Sequence, residues 1–289
     1  MSVRELLSQI TQLLSDNQTP DPQIESEVLL RHVLGMERAE FFAALAEQLS
    51  SGQCEQVRQL AQRRLDGEPL AYITGHREFY GLDFVVNPHV LIPRQETELL
   101  VECVLEHCSR PQATKDLRIA DIGTGSGAIA IAIAANLAHA QLFATDCDPN
   151  ALAVADINRR KHNLEHRIHL SQGDLLNALD ASVDVIVSNP PYIRTAEIPR
   201  LAPEVRREPV LALDGGPDGL EVIRRLFRQA PAFIRDGGRM FIEIAPEQLE
   251  AVLQLGREEF SSAEVSFRRD MLGLPRVVIV SVESAAPSS

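Results

Sequence analysis

The sequence predicts an α/β protein: a mostly parallel sheet covered by helices on both faces, closed by a C-terminal antiparallel hairpin and preceded by a small N-terminal helical bundle. Three observations predict it. From residue 93 onward, short apolar runs rich in β-branched residues alternate with helical stretches, the rhythm of a parallel sheet. The last two such runs, near 263–268 and 276–282, have no long helix between them and so pair as antiparallel neighbours. Residues 1–75 show helical periodicity. At 289 residues the chain has room for a small module and a larger one.

The elements follow in order. Val3, Leu6, Leu7, Ile10, Leu13 and Leu14 recur at helical spacing, and Ser2 with Glu5 suits a capping box. Asp21-Pro22 starts a second helix and Gly35 stops it. Phe41, Phe42, Leu45 and Leu49 mark a third; Val57, Leu60, Ala61 and Leu65 mark a fourth, ending near Gly67. Short connections make this a bundle, its apolar stripes read as core, with an exposed docking groove as the alternative. Around Gly81, residues 76–86 mix aromatic and β-branched side chains, a β-hairpin within a linker at 76–92. Next come a helix at about 96–108, a strand at 118–122, a glycine-rich turn and a helix at 128–137. Strands at 142–146 and 168–170 flank a helix at about 150–162, and a buried strand covers 183–188. A long loop at about 193–216 precedes a helix at 218–234, a strand at 239–244 and a helix near 247–256. The polar tail at 284–289 is expected to fray.

Composition narrows the function. With 45% hydrophobic and 24% charged residues, wholesale disorder is excluded. Acids outnumber bases 41 to 28, a formal charge of −13, which argues against gripping duplex nucleic acid through its phosphates. No apolar run approaches the roughly 20 residues of a membrane span, and the amphipathic amino terminus is no signal peptide. Cys54, Cys103, Cys108 and Cys147 lack CxxC spacing and read as reduced cytoplasmic thiols. The eight histidines form no HxH or HExxH pattern, so no metal site is expected.

Chemistry concentrates at the strand ends. Gly123-Thr124-Gly125-Ser126-Gly127 lies where a strand becomes a helix, a place for a tight turn that a ligand can approach. Asp146 ends the next strand, nineteen residues after Gly127, where a carboxylate can accept both hydroxyl protons of a ribose. A ligand-free turn and a solvated loop acid are the bland readings of the two features. After the third strand, Asp174-Leu175 stands where an adenine would lie, although Asp174 alone suits an ordinary turn. Asp121, at a strand end, can reach a ligand amine through a water or cap the turn.

The sharpest signal is Asn189-Pro190-Pro191-Tyr192, directly after a buried strand. Prolines fix the backbone and leave carbonyls as acceptors; Asn189 adds another, and Tyr192 a flat face. Two acceptors near one point suit an NH2 group. A planar NH2 nitrogen is a poor nucleophile, and holding both its protons aims it and favours its loss of planarity. Alignment with a methyl donor supplies the rest of the catalysis. No titratable base is needed.

The chain resembles the HemK/PrmC family, S-adenosylmethionine-dependent methyltransferases that modify a glutamine side-chain amide in class 1 peptide chain release factors. The resemblance runs through Glu68–Gly75, Arg77-Glu78-Phe79-Tyr80, Leu91-Ile92-Pro93-Arg94 with Glu96-Thr97-Glu98, the glycine turn, Ser188–Ile193, and Ala212–Gly216 with Asp218-Gly219-Leu220. It implies a Rossmann-like class I S-adenosylmethionine (SAM) methyltransferase sheet. It implies a helical substrate-docking domain at 1–75, the hairpin linker at 76–92 and the methyltransferase domain at 93–289. It assigns S-adenosyl-L-methionine to Gly123, Thr124, Gly125, Ser126, Gly127, Asp146, Asp174, Leu175 and Asn189. Asn189, Pro190, Pro191 and Tyr192 would hold the glutamine of a Gly-Gly-Gln loop, with Asn189, Pro190 and Tyr192 catalytic. The chain departs from the family pattern at Gln95, at Leu175 and at Ala245-Pro246, and no role is carried onto Glu243. Arg194, Arg200, Arg206 and Arg207 give the long loop positive charge, for partner docking or none. A cytoplasmic monomer without nucleic acid or membrane is the expectation.

Three other functions compete. N6-adenine methylation of DNA shares the Asn-Pro-Pro-Tyr motif but predicts a basic groove. A nicotinamide dehydrogenase fits Gly123-x-Gly125-x-x-Ala128 but leaves that motif unexplained. A catalytically idle adaptor leaves both motifs without purpose.

Overall fold

The computed structural model describes residues 1–109 and 117–283, so the tail expected to fray lies outside the described residues. The chain forms two compact units: Met1–Gly75 with Ala202–Arg207, and His76–Leu201 with the chain from Glu208 on.

The smaller unit holds α1 (Val3–Asp16), α2 (Pro22–Leu34), α3 (Arg38–Ala43), α4 (Ser51–Leu65) and α5 (Leu70–Thr74). Ser2 and Glu5 form the expected capping box, and Ser50 with Gln53 repeats the device at α4. Helix α3 ends at Ala43, short of the expected Leu45 and Leu49: residues 44–46 turn the chain, and Gln48 then bridges Ser2. Helix α5, at five residues, is too short to show a period in sequence. Leu6, Ile10, Leu14, Leu29, Phe41 and Val57 build the core. Against it lies a buried ion pair: the Arg64 guanidinium donates to both Glu25 oxygens at 2.6 and 3.0 Å and reaches Glu204 at 2.6 Å. Through Glu204 the distant segment 202–207 joins this unit.

The larger unit begins with a hairpin, β1 (His76–Phe79) and β2 (Leu82–Val85), whose Phe79 and Phe84 are buried in that unit's core. Then come α6 (Glu98–Cys108), β3 (Leu117–Ile122), α7 (Ala128–Asn136), β4 (Ala140–Asp146), α8 (Pro149–Lys161) and β5 (Ile168–Gln172). They are followed by β6 (Val183–Ser188), α9 (Glu221–Gln229), β7 (Ile234–Glu243), α10 (Leu249–Glu259), β8 (Ala263–Arg269) and β9 (Pro275–Val282). Helix α9 stops earlier than expected because Pro231 has no N–H to continue it and a 3-10 turn follows. The long loop is built from three 3-10 turns, Ile198–Arg200, Val205–Arg207 and Val210–Ala212.

Seven strands form one sheet in the order β5-β4-β3-β6-β7-β9-β8, with β9 antiparallel to both neighbours. One face buries α6 and α7 residues, such as Val101, Val104 and Ile131; the other buries α9 and α10 residues, such as Phe227 and Val252. Every residue of α7 from Ala128 to Ala134 is buried, as an all-apolar helix requires. The strand order reverses between β3 and β6, where Asp121 registers with both Ala144 and Val187. At such a switch point the connections diverge and leave a crevice at the carboxyl ends of the strands.

Candidate active site

The crevice is a cavity lined by Thr124, Ser126, Asp146, Asp174 and Asn189, among others. Gly123, Gly125 and Gly127 take φ of +73°, +55° and +81°, left-handed values that side chains disfavour. At Gly123 and Gly125 an added Cβ would meet nothing within 4 Å, yet both residues line the cavity, so a side chain there would take ligand space as well as strain the turn. At Gly127 it would meet Ile131 at 3.2 Å and Ala155 at 3.3 Å, so that glycine serves helix packing.

Beneath the turn Asp121 is fully buried. The Thr124 hydroxyl donates to its Oδ2 at 2.6 Å and the Ala130 N–H at 3.2 Å, so it caps the start of α7. Its Oδ1 has no partner among the described residues. Burial pushes the carboxyl up to about 7, against the pull of those two hydrogen bonds. Of the two roles open in sequence, the geometry shows the cap.

Asp146, at the end of β4, accepts the Gly125 N–H at 2.9 Å and the Asp148 N–H at 3.0 Å. Burial raises its carboxyl above the usual range, and the N–H donors oppose that shift. A carboxylate has about four lone-pair sites, so about two remain for a diol. Asp174 and Leu175 also line the cavity. The Asp174 carboxylate is engaged by Arg225, and Leu175 holds φ +53° while its carbonyl accepts from the Thr145 hydroxyl at 3.2 Å. Neither the ion pair nor the strained leucine was visible in sequence.

The Asn-Pro-Pro-Tyr segment is held at both ends. The Ser188 hydroxyl donates to the Ile122 carbonyl at 2.6 Å, tying the end of β6 to the end of β3. The Gln248 amide donates to the carbonyls of Tyr192 and Gly219 at 3.1 and 3.0 Å. Asn189 and Pro191 line the cavity; Pro190 is buried, and Tyr192 packs half-buried against the second core. Burial pushes the Tyr192 phenol up to about 12, so it stays neutral and cannot serve as a base. Gln248 occupies the Tyr192 carbonyl, while the Pro190 carbonyl has no donor among the described residues. The Asn189 Nδ2 donates to the Thr97 hydroxyl at 3.0 Å, which leaves its carbonyl oxygen unengaged.

Several site residues escaped sequence reasoning. Glu243 is buried at the end of β7 beside Thr97 and Asn189, with Oε2 unpartnered and its carboxyl pushed by burial to about 7. Its signal was a lone acid closing an apolar strand. Glu208 is 1% exposed, accepts the Ile92 N–H at 2.9 Å and pairs with Arg94, pinning the cavity wall made by Val90, Leu91 and Pro93. Asn158, fully buried on α8, donates to the carbonyls of Val85 and Ser126, each at 2.9 Å, and accepts the Val85 N–H at 2.8 Å. Those pairings needed tertiary structure to be seen.

Residues 5–75 match the family described as the PrmC N-terminal domain, and residues 95–205 the methyltransferase small domain. A methyltransferase from Pyrococcus furiosus shares the fold, with a TM-score of 0.53 over 79% of this chain and 98% of that one at 19% identity. The reversed strand order, the glycine turn at its centre and these matches define a class I methyltransferase. The release factor glutamine methyltransferase of Moorella thermoacetica is 45% identical over 258 residues, 89% of this chain and 90% of that protein. That of Geobacter sulfurreducens is 39% identical, over 96% of this chain and 95% of its own. The chain belongs to the release factor glutamine methyltransferase family.

Proposed function

We propose that the protein transfers a methyl group from S-adenosyl-L-methionine to the side-chain amide nitrogen (N5) of the glutamine in the Gly-Gly-Gln loop of class 1 peptide chain release factors. One observation carries the reading: Asn189, whose side-chain carbonyl has no protein donor among the described residues, lines the same cavity as the glycine turn. The residues fit the cofactor. Gly123 and Gly125 let it approach the backbone, Asp146 keeps lone pairs for a ribose, and Asp174 with Leu175 borders the adenine position. When bound, S-adenosyl-L-methionine supplies an electrophilic methyl group.

The chain's own task is to make an amide nitrogen nucleophilic. The Asn189 and Pro190 carbonyls accept the two N–H protons of the target amide, orient it and favour its pyramidal form as charge develops. Pro191 and Tyr192 complete the substrate pocket, and the neutral tyrosine ring offers its face to the planar amide. Because the acceptors are fixed by β6, Ser188 and Gln248, they need no rearrangement during the reaction. Residues 1–75 act as the docking domain for the release factor, 76–92 as the joining hairpin and 93–289 as the methyltransferase domain. The protein works as a monomer in the cytoplasm without binding nucleic acid; its four free cysteines accord with a reducing compartment. Among the described residues no helix is long and apolar enough to cross a membrane.

Labelled S-adenosyl-L-methionine, offered with a release factor or with duplex DNA, tests the proposal. Label should appear in the protein alone; label in the DNA would favour the adenine reading.

A further inference from the structure

The geometry points to Glu243, acting through Thr97, as the positioning residue that sets which end of the Asn189 amide faces the substrate. The inference rests on the role proposed for Asn189. Strand register brings two of them together: Ser188 pairs with Ile242, so the next residues, Asn189 and Glu243, come side by side at the carboxyl ends of β6 and β7. Thr97 closes the 3-10 turn ahead of α6 and is 4% exposed. The Asn189 NH2 donates to the Thr97 hydroxyl at 3.0 Å, and the buried Glu243 carboxyl lies beside both side chains.

An asparagine amide has two ends of similar shape and opposite polarity, and a pocket of hydroxyls alone holds either end. Ionised, as it is above about pH 7, the Glu243 carboxylate accepts only. It therefore draws the Asn189 NH2 inward, takes the Thr97 proton as well, and turns the Asn189 carbonyl toward the cavity. A flipped amide would present two donors to a substrate NH2 and repel it. Glu243 is 1% exposed, and its Oε2 has no partner among the described residues. The Arg276 guanidinium, whose charge also reaches Glu243, is engaged by Asp270 at 3.1 Å. Among the described residues no ion pair accounts for the acid, which leaves the Asn189–Thr97 pair beside it as the group it serves.

Glu243→Leu tests this, because it removes the acceptor at similar volume. Turnover on a release factor should fall on the order of 10²-fold, the scale of a misaligned reacting group. The dissociation constant for S-adenosyl-L-methionine should stay within about threefold, and kcat should fall by more than KM rises, since the repulsion is greatest as the nitrogen pyramidalises. Glu243→Gln, which still offers a carbonyl oxygen, should recover most of the turnover. Side-chain amide protons of Asn189, identified by their loss in Asn189→Ala, should exchange slowly in the native protein and fast in Glu243→Leu. Thr97→Ser should retain activity and Thr97→Val lose it, which decides the matter should Glu243→Leu not fold. If Asn189→Ala abolishes turnover while Glu243→Leu and Thr97→Val do not, the positioning role is wrong and the Asn189 role stands. If Asn189→Ala keeps full turnover, the role of Asn189 itself is wrong.

Discussion

Asn189→Ala separates chemistry from binding, because the acceptor it removes matters most once the nitrogen begins to pyramidalise. Turnover should fall by about 10²-fold or more while S-adenosyl-L-methionine affinity changes little, as single-turnover rates and equilibrium binding would show. Asp146→Ala should do the reverse and weaken cofactor binding by about 1.5–3 kcal/mol; an unchanged dissociation constant would remove the ribose role. The buried acids give a pH test. Asp121 and Glu243 are both pushed to about 7, well above the roughly 4 of an unfolded carboxyl. Folding therefore takes up protons between about pH 4 and 7, and these groups lose their stabilising contribution as pH rises through that window. Asn at position 121 keeps the acceptor for Thr124 and Ala130 and carries no charge. The thermal midpoint of Asp121→Asn should exceed that of wild type at about pH 8 and match it at about pH 4. Parallel pH curves would show that Asp121 is not the group responsible. Residues announced by a motif were legible from sequence: Gly123, Gly125, Asp146 and Asn189 all reach one cavity. Glu243 and Glu208 were not, because a carboxylate's environment is made by chain segments that meet only after folding.

Between elements, the connections are tied by buried polar side chains. Asn158 joins the hairpin to the glycine turn from α8, and Asn158→Ala would strand backbone groups at Val85 and Ser126. The expected cost is about 3 kcal/mol in denaturant unfolding, accompanied by weaker cofactor binding, since unsatisfied buried groups are expensive. At Gly219, φ is +78° and an added Cβ would lie 2.4 Å from the Tyr192 carbonyl oxygen. Gly219→Ala should therefore displace the motif and depress turnover more than cofactor affinity, a split that kinetics and binding can read. Helices and strands with clear periods were legible. Helix α5 was too short to show one, and α3 gives way to a turn at 44–46 before Gln48 pairs with Ser2. Propensity is local, and that bridge joins residues 46 apart in sequence.

For the whole molecule, alternation along the chain foretold a parallel sheet, and the missing helix near the end foretold its antiparallel edge. Membership of residues 202–207 in the helical unit was not foreseeable, since its ties, Arg64 with Glu204 and Arg207 with the Asp66 carbonyl, form only after folding. Arg64→Ala would leave Glu25 buried without its partner and should cost about 3 kcal/mol, read from unfolding of the helical unit. The reversal of strand order also has a consequence for synthesis. The chain lays down β3, then moves outward through β4 and β5, and only then returns with β6 to the other side of β3. While the ribosome is still translating that stretch, one flank of β3 has no hydrogen-bonding mate, and a nascent chain halted there would offer a sticky edge to its neighbours.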